Sequence, residues 1–95
     1  MKEIKANIPV LFFQEGNSII AYSPALDLSS CGATEAIARD KFMEAVELFL
    51  TESLKMGTLD QVMEECGWHR GSDNQGWLPP VYKSTEESVN IPSGV

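Results

Sequence analysis

Cys66 and His69 stand in a C-x-x-H step, the residue pair in this chain whose types and spacing first suggest chemistry. Such a step is half of a zinc site, and Cys31 is a conceivable third ligand. A structural zinc site needs four ligands, normally as two spaced pairs, and only one pair exists here. Cys31 could instead act as a nucleophile with His69 as its base. That reading lacks a third group to orient the single histidine and any oxyanion-hole signature. Cys31 therefore reads as a buried or edge-strand thiol, and Cys66 as a small apolar residue at a helix end. Two-metal phosphoryl chemistry would need several carboxylates converging on Mg²⁺, the first of them on a central strand. The apolar run IPVLFF at 8–13 contains no acid, Glu15 follows it in a turn, Asp27 falls in a loop and Glu47 on a helix. Trp68 and Trp77 could stack bases, but a single-strand site also needs a basic groove, and only Arg70 and the distant Lys83 are near in sequence. Packing of the two rings across a hairpin or at a protein interface is the expectation. The chain thus reads as non-enzymatic, with no metal and no cofactor.

Charge bears on partners more directly. Fourteen acids against seven bases give 95 residues a formal net charge of −7. That balance opposes nucleic-acid binding, which rests on Lys and Arg contacts to phosphates, and it steers the chain toward a basic partner. The 43% apolar and 22% charged fractions are those of an ordinary globular protein. No apolar run approaches the roughly 18–20 residues needed to cross a bilayer. The start, MKEIKANIPV, has no sustained apolar segment followed by a small-residue cleavage site. A cytoplasmic protein with reduced cysteines and no membrane contact is expected.

The elements that must position these residues follow from patterning. IPVLFF at 8–13 predicts a strand with Pro9 at its start, where a missing N–H does least harm. Glu15, Gly16 and Asn17 predict a turn, and SIIAYS at 18–23 the returning strand. Pro24 interrupts, and residues 28–32 predict a third strand at the sheet edge. Thr34 is a good N-cap, with Glu35 suited to the positive end of a helix dipole. From 35 to 55, Ala38, Phe42, Ala45, Val46, Phe49 and Leu50 share one face, and Gly57 is a natural stop. On the opposite side Asp40, Glu44 and Glu47 form an acidic stripe with only Arg39 and Lys41 nearby. Thr58 is expected to cap a second helix over 59–66. Trp68 and Trp77 flank a polar, glycine-containing turn, which predicts a small hairpin ended by Pro79 and Pro80. Residues 88–91 offer a last strand, able to return parallel to the first through a right-handed crossover. The expected fold class is α+β, with one long helix across one face of a sheet of about four strands. A single domain over 1–95 is expected, with a core at 6–57, a helix and hairpin extension at 58–80, and a last strand and frayed tail at 81–95.

The ordered set of residues resembles the HicB family of antitoxins and its orphan relatives. Members read aromatic-x-Pro-x-Leu, a small-residue segment ending in Gly-x-Thr, then a helix closing with Ala-x-Glu-Leu-aromatic-Leu. Tyr22, Pro24, Leu26, Gly32, Thr34, Ala45, Glu47, Leu48, Phe49 and Leu50 match that pattern. Cys66, Gly67 and Trp68, the second tryptophan, and Pro79 with Pro80 resemble the extension of one branch. The resemblance covers residues 6 to 92. It implies a truncated ribonuclease H-like fold of order β-β-β-α-β, and a role in binding and blocking a small basic ribonuclease toxin of the HicA type. Family members often end in a DNA-binding segment; the acidic, turn-rich stretch after Pro80 has no such pattern, so direct nucleic-acid binding is not expected. The expected partner surface comprises the loop residues Tyr22, Ser23, Pro24 and Asp27 and the acids Asp40, Glu44 and Glu47. The alternative, of a different class, is an orphan self-associating structural or small-ligand-binding module without a toxin. Exposed sheet edges make a homo-oligomer, dimer or higher, plausible in either case.

Overall fold

The computed structural model of the chain describes residues 6–71, 76–81 and 83–94. Three antiparallel strands, β1 (Leu11–Glu15), β2 (Ser18–Ser23) and β3 (Leu28–Gly32), form a sheet in the order β1-β2-β3. The long helix α1 (Glu35–Lys55) packs across one face of it. A short helix α2 (Leu59–Glu65) and a two-stranded hairpin of β4 (His69–Arg70) and β5 (Trp77–Leu78) follow. The architecture is α+β, a three-stranded antiparallel sheet under one long and one short helix.

Register explains which residues face the helix. Leu11 pairs with Tyr22, Phe12 with Ala21 and Phe13 with Ile20. On the other side Ala21 pairs with Ser30 and Ser23 with Leu28. Because side chains alternate along a strand, Phe12, Ala21, Ser23, Leu28 and Ser30 share the face covered by α1. Leu11, Phe13, Ile20, Tyr22 and Cys31 share the other face. Ala21, Ala38, Phe42 and Val46 are the centre of the core, joined by Ala25, Leu26, Met63 and Trp68. Arg39 lies with its guanidinium carbon 5.1 Å from the Phe12 ring centre, closing one flank of the helix–sheet seam.

Both ends of α1 are built by local chemistry. Thr34 is extended, and its hydroxyl accepts the backbone N–H of Ile37 at 3.2 Å. At the other end the N–H of Gly57 reaches the Leu54 carbonyl at 3.1 Å, and that of Thr58 the Ser53 carbonyl at 2.9 Å. This is a Schellman turn, and Gly57 adopts the left-handed φ of +72° that it requires. The same turn closes α2. Gly67, at φ +95°, bonds to Glu64 and Trp68 bonds to Met63. This second turn swings Trp68 back over Met63 and starts the hairpin against the body. Thr34→Ala should cost about 1 kcal/mol, a fall of roughly 4–8 °C in melting temperature for a domain of this size. Thermal unfolding followed by circular dichroism measures it, and an unchanged midpoint would mean that the cap contributes nothing.

Several expectations need correction. The first strand spans 11–15 rather than 8–13, so Pro9 precedes it. β2 ends at Ser23, and in the β1–β2 register residues 9 and 8 would face Pro24 and Ala25, beyond it; Ile8 and Val10 lie half-buried against the core. The second helix ends at Glu65, with Cys66 as its C-cap. Thr58 does not cap it through its side chain, because its hydroxyl donates back to the Ser53 carbonyl at 3.4 Å. No strand forms at 88–91, and the sheet has three strands rather than about four. Val89 and Ile91 alternate as a strand would, yet they stand 75% and 84% exposed, with no strand paired to them among the described residues. Strand preference is realised only where a neighbouring strand and a buried face are supplied. The hairpin turn expected between the tryptophans falls largely on residues 72–75, outside the described residues.

Candidate functional site

The loop from 23 to 27 is the first region singled out by sequence. Pro24 stops β2, and the chain then folds inward: Ala25 and Leu26 are buried. Ser23 is 0% exposed, its hydroxyl accepting the Ala25 N–H at 3.2 Å. Ser23 therefore has no surface to offer a partner and serves the turn itself. The extension holds the loop from behind. The indole N–H of Trp68 donates to the Ala25 carbonyl at 2.6 Å, and the Cys66 thiol points to the Leu26 carbonyl at 3.9 Å. Asp27 completes the turn at φ +52° and is exposed. Its carboxylate accepts the Tyr22 hydroxyl at 3.1 Å, which pushes the phenol above its ordinary range. Tyr22 and Pro24 are half-buried.

The acids of α1 lie elsewhere. Asp40, Glu44 and Glu47 are exposed on the side of the helix turned away from the sheet. Tyr22 projects from the sheet face turned away from the helix. The two parts of the expected partner surface thus lie on opposite sides of a two-layer body, and a rigid partner would touch one or the other. The ion pairs on α1 are Arg39 with Glu35 at 2.8 Å and Lys55 with Glu52 at 3.9 Å. None of the three outward acids has a cation within salt-bridge distance among the described residues.

The remaining candidates for chemistry separate. Cys31 is exposed on edge strand β3 and Cys66 is half-buried at the end of α2. Burial pushes the Cys66 thiol up, with the charges of Asp27 and Glu65 adding to it, so it is a poorer nucleophile than an ordinary thiol. His69 is exposed on β4. No three His, Cys, Asp or Glu side chains gather as metal ligands among the described residues. No helix among them is long and apolar enough to cross a membrane.

What sequence reading missed is a groove. α1, α2, the hairpin and the segment before β1 enclose an open apolar trough of about 390 Å³. Met43, Leu50 and Leu54 form its α1 wall, Leu59 and Met63 its α2 wall, and Trp68 with Trp77 its end. Trp77 is held by Arg70, whose guanidinium carbon sits 4.4 Å from the ring centre and pairs with Asp60 at 3.2 Å. The signal was present in the chain. Met43, Leu50 and Leu54 extend the apolar arc of α1 beyond what a narrow sheet covers, and their seven- and four-residue spacing places them together. Compared with known proteins, the chain matches no protein-family model, no curated protein and no solved structure.

Proposed function

We propose that the chain is a non-catalytic, acidic protein-binding domain of the HicB-like antitoxin kind, which binds and neutralises a small basic ribonuclease of the HicA type in the cytoplasm. The observation that carries this reading is the row of acids on α1: Asp40, Glu44 and Glu47 are exposed, turned away from the body, and without a cation among the described residues. Together with a net charge of −7, such a row raises the encounter rate with a Lys- and Arg-rich surface. Inhibition needs no chemistry from the chain, because covering the toxin's RNA-binding surface suffices. The order of three antiparallel strands followed by a long helix on one sheet face is compatible with a truncated ribonuclease H-like fold.

Replacing Asp40, Glu44 and Glu47 together by lysine should slow association with a small basic ribonuclease by about 10-fold or more at low salt, with a smaller change in dissociation. Stopped-flow mixing at two ionic strengths reads this, and an association rate indifferent to the three reversals would remove the electrostatic steering. A second reading, self-association without a toxin, is favoured by one observation. The uncovered sheet face carries Leu11 and Phe13, both about half exposed, beside Ile20 and Tyr22. Sedimentation across concentration tests it, since a chain that stays monomeric at high concentration would not be such a module.

A further inference from the structure

We infer that the groove between α1, α2 and the tryptophan hairpin is the docking site for an amphipathic helix of a partner protein, apolar along one ridge and basic along the adjoining edge. This rests on the reading of the chain as a binder of a basic protein, and it names the surface and the partner element. Two independent features converge on it. The floor is apolar, and its volume of about 390 Å³ holds two or three side chains, given that a cavity of about 150 Å³ accepts one benzene. Helix-in-groove recognition uses such a short series of anchors at i, i+3 or i+4, and i+7. The second feature is the charge along its rim. On α1, Asp40 and Glu47 lie three and four residues from Met43, and Glu47 lies three from Leu50, so acid and apolar rows are neighbours on the helix surface. An entering helix would therefore meet apolar side chains on the floor and carboxylates along one edge. Among the described residues the opposite wall adds no free cation to oppose it, because Arg70 is engaged by Asp60 and Trp77.

The groove walls also show that the apolar rows are open. Met43 is 53% exposed and Leu54 49%, although both belong to the helix that forms the core. Three occupants compete: a basic amphipathic helix, the chain's own tail through Val89 and Ile91, and a second copy of the chain. Charge decides among them. The tail brings Glu86 and Glu87, and a second copy brings an excess of acids, so each would place like charge against the rim.

The chain reports occupancy by itself, because both of its tryptophans line the groove. The probe is a synthetic 16-residue helical peptide with leucines at i, i+4, i+7 and i+11 and lysines along one flank. Two controls accompany it: a scrambled peptide of the same composition, and one with glutamate in place of each lysine. The expected result is a saturable shift in tryptophan emission with the basic peptide. Binding should be at least 10-fold weaker for the scrambled and acidic peptides. Met43→Asp and Leu54→Asp, at exposed positions and checked for native circular dichroism, should each lose 10-fold or more in affinity. Equal binding of the scrambled peptide, or undiminished binding by both variants, overturns the proposal. So does a rise in peptide affinity in the full chain carrying Val89→Asp and Ile91→Asp, which would make the tail the occupant. A shift in emission with chain concentration alone would assign the groove to a second copy and overturn it as well. Measured against a basic ribonuclease, the same variants separate the two claims. If the three lysine reversals on α1 slow association while Met43→Asp and Leu54→Asp leave affinity unchanged, the acidic reading stands and the groove falls. If a basic ribonuclease does not bind the unaltered chain, the functional reading falls.

Discussion

Replacing Phe42 by alanine is expected to destabilise the chain by about 3–5 kcal/mol, the usual cost of emptying a phenylalanine site in a packed core. Phe42 is fully buried and is the largest side chain in that state. It lies on the covered face of α1, in one core cluster with Ala21, Ala38 and Val46. The neighbours are small or already placed by the sheet register, so collapse into the space is limited. A domain of this size has a total stability of roughly 5–15 kcal/mol, so the variant should lose about a fifth or more of it. Urea unfolding followed at 222 nm should show the midpoint falling sharply with an unchanged slope. A loss under about 1 kcal/mol would mean that α1 does not depend on Phe42 to hold it on the sheet.

Trp68→Ala should cost a similar amount, about 3–5 kcal/mol, but for a compound reason. The ring is buried between the extension and the 23–27 loop, and its indole N–H is the bond that the Ala25 carbonyl receives. Removing it opens a space and leaves a buried carbonyl without that donor, itself worth roughly 1–3 kcal/mol. Trp68→Phe keeps most of the ring and loses only the donor, so the difference between the two variants separates packing from hydrogen bonding. Hydrogen exchange should locate the damage: amides of α2 and the hairpin should exchange faster in Trp68→Ala, while those of β2 and the middle of α1 change less. Uniform acceleration across the chain would show that the extension is not a separable layer. Because Trp68 also closes the groove, Trp68→Ala should weaken binding of the basic helical peptide.

These two side chains also mark how far sequence alone reaches. α1 was legible because three signals coincide: Thr34 at its start, the Ala38, Phe42 and Val46 spacing within it, and Gly57 at its end. β2 and β3 were legible because Pro24 and the small residues before Thr34 punctuate them. β1 was displaced because apolar composition marks Ile8 and Val10 as strand-like, whereas Pro9 and Ile8 would face Pro24 and Ala25, past the end of β2. The tail at 88–91 shows the converse: Val89 and Ile91 have strand-like alternation, and their partner would have to come from elsewhere in the fold. Ser23 illustrates a different limit. A serine before a proline reads as surface loop, whereas the strand register turns Ser23 to the sheet face that α1 covers. The groove was hidden because its walls come from segments far apart in sequence. The separation of Tyr22 from Asp40, Glu44 and Glu47 onto opposite sides follows from strand register and helix phase together, which sequence spacing gives only one element at a time.

The central claim is that the chain neutralises a small basic ribonuclease by covering it. The direct measurement is RNA cleavage by a small basic ribonuclease, titrated with the purified chain. Cleavage should fall to background near one chain per ribonuclease, and the variant carrying lysine at 40, 44 and 47 should restore it at low salt. Cleavage that continues undiminished through an excess of the chain would contradict the claim.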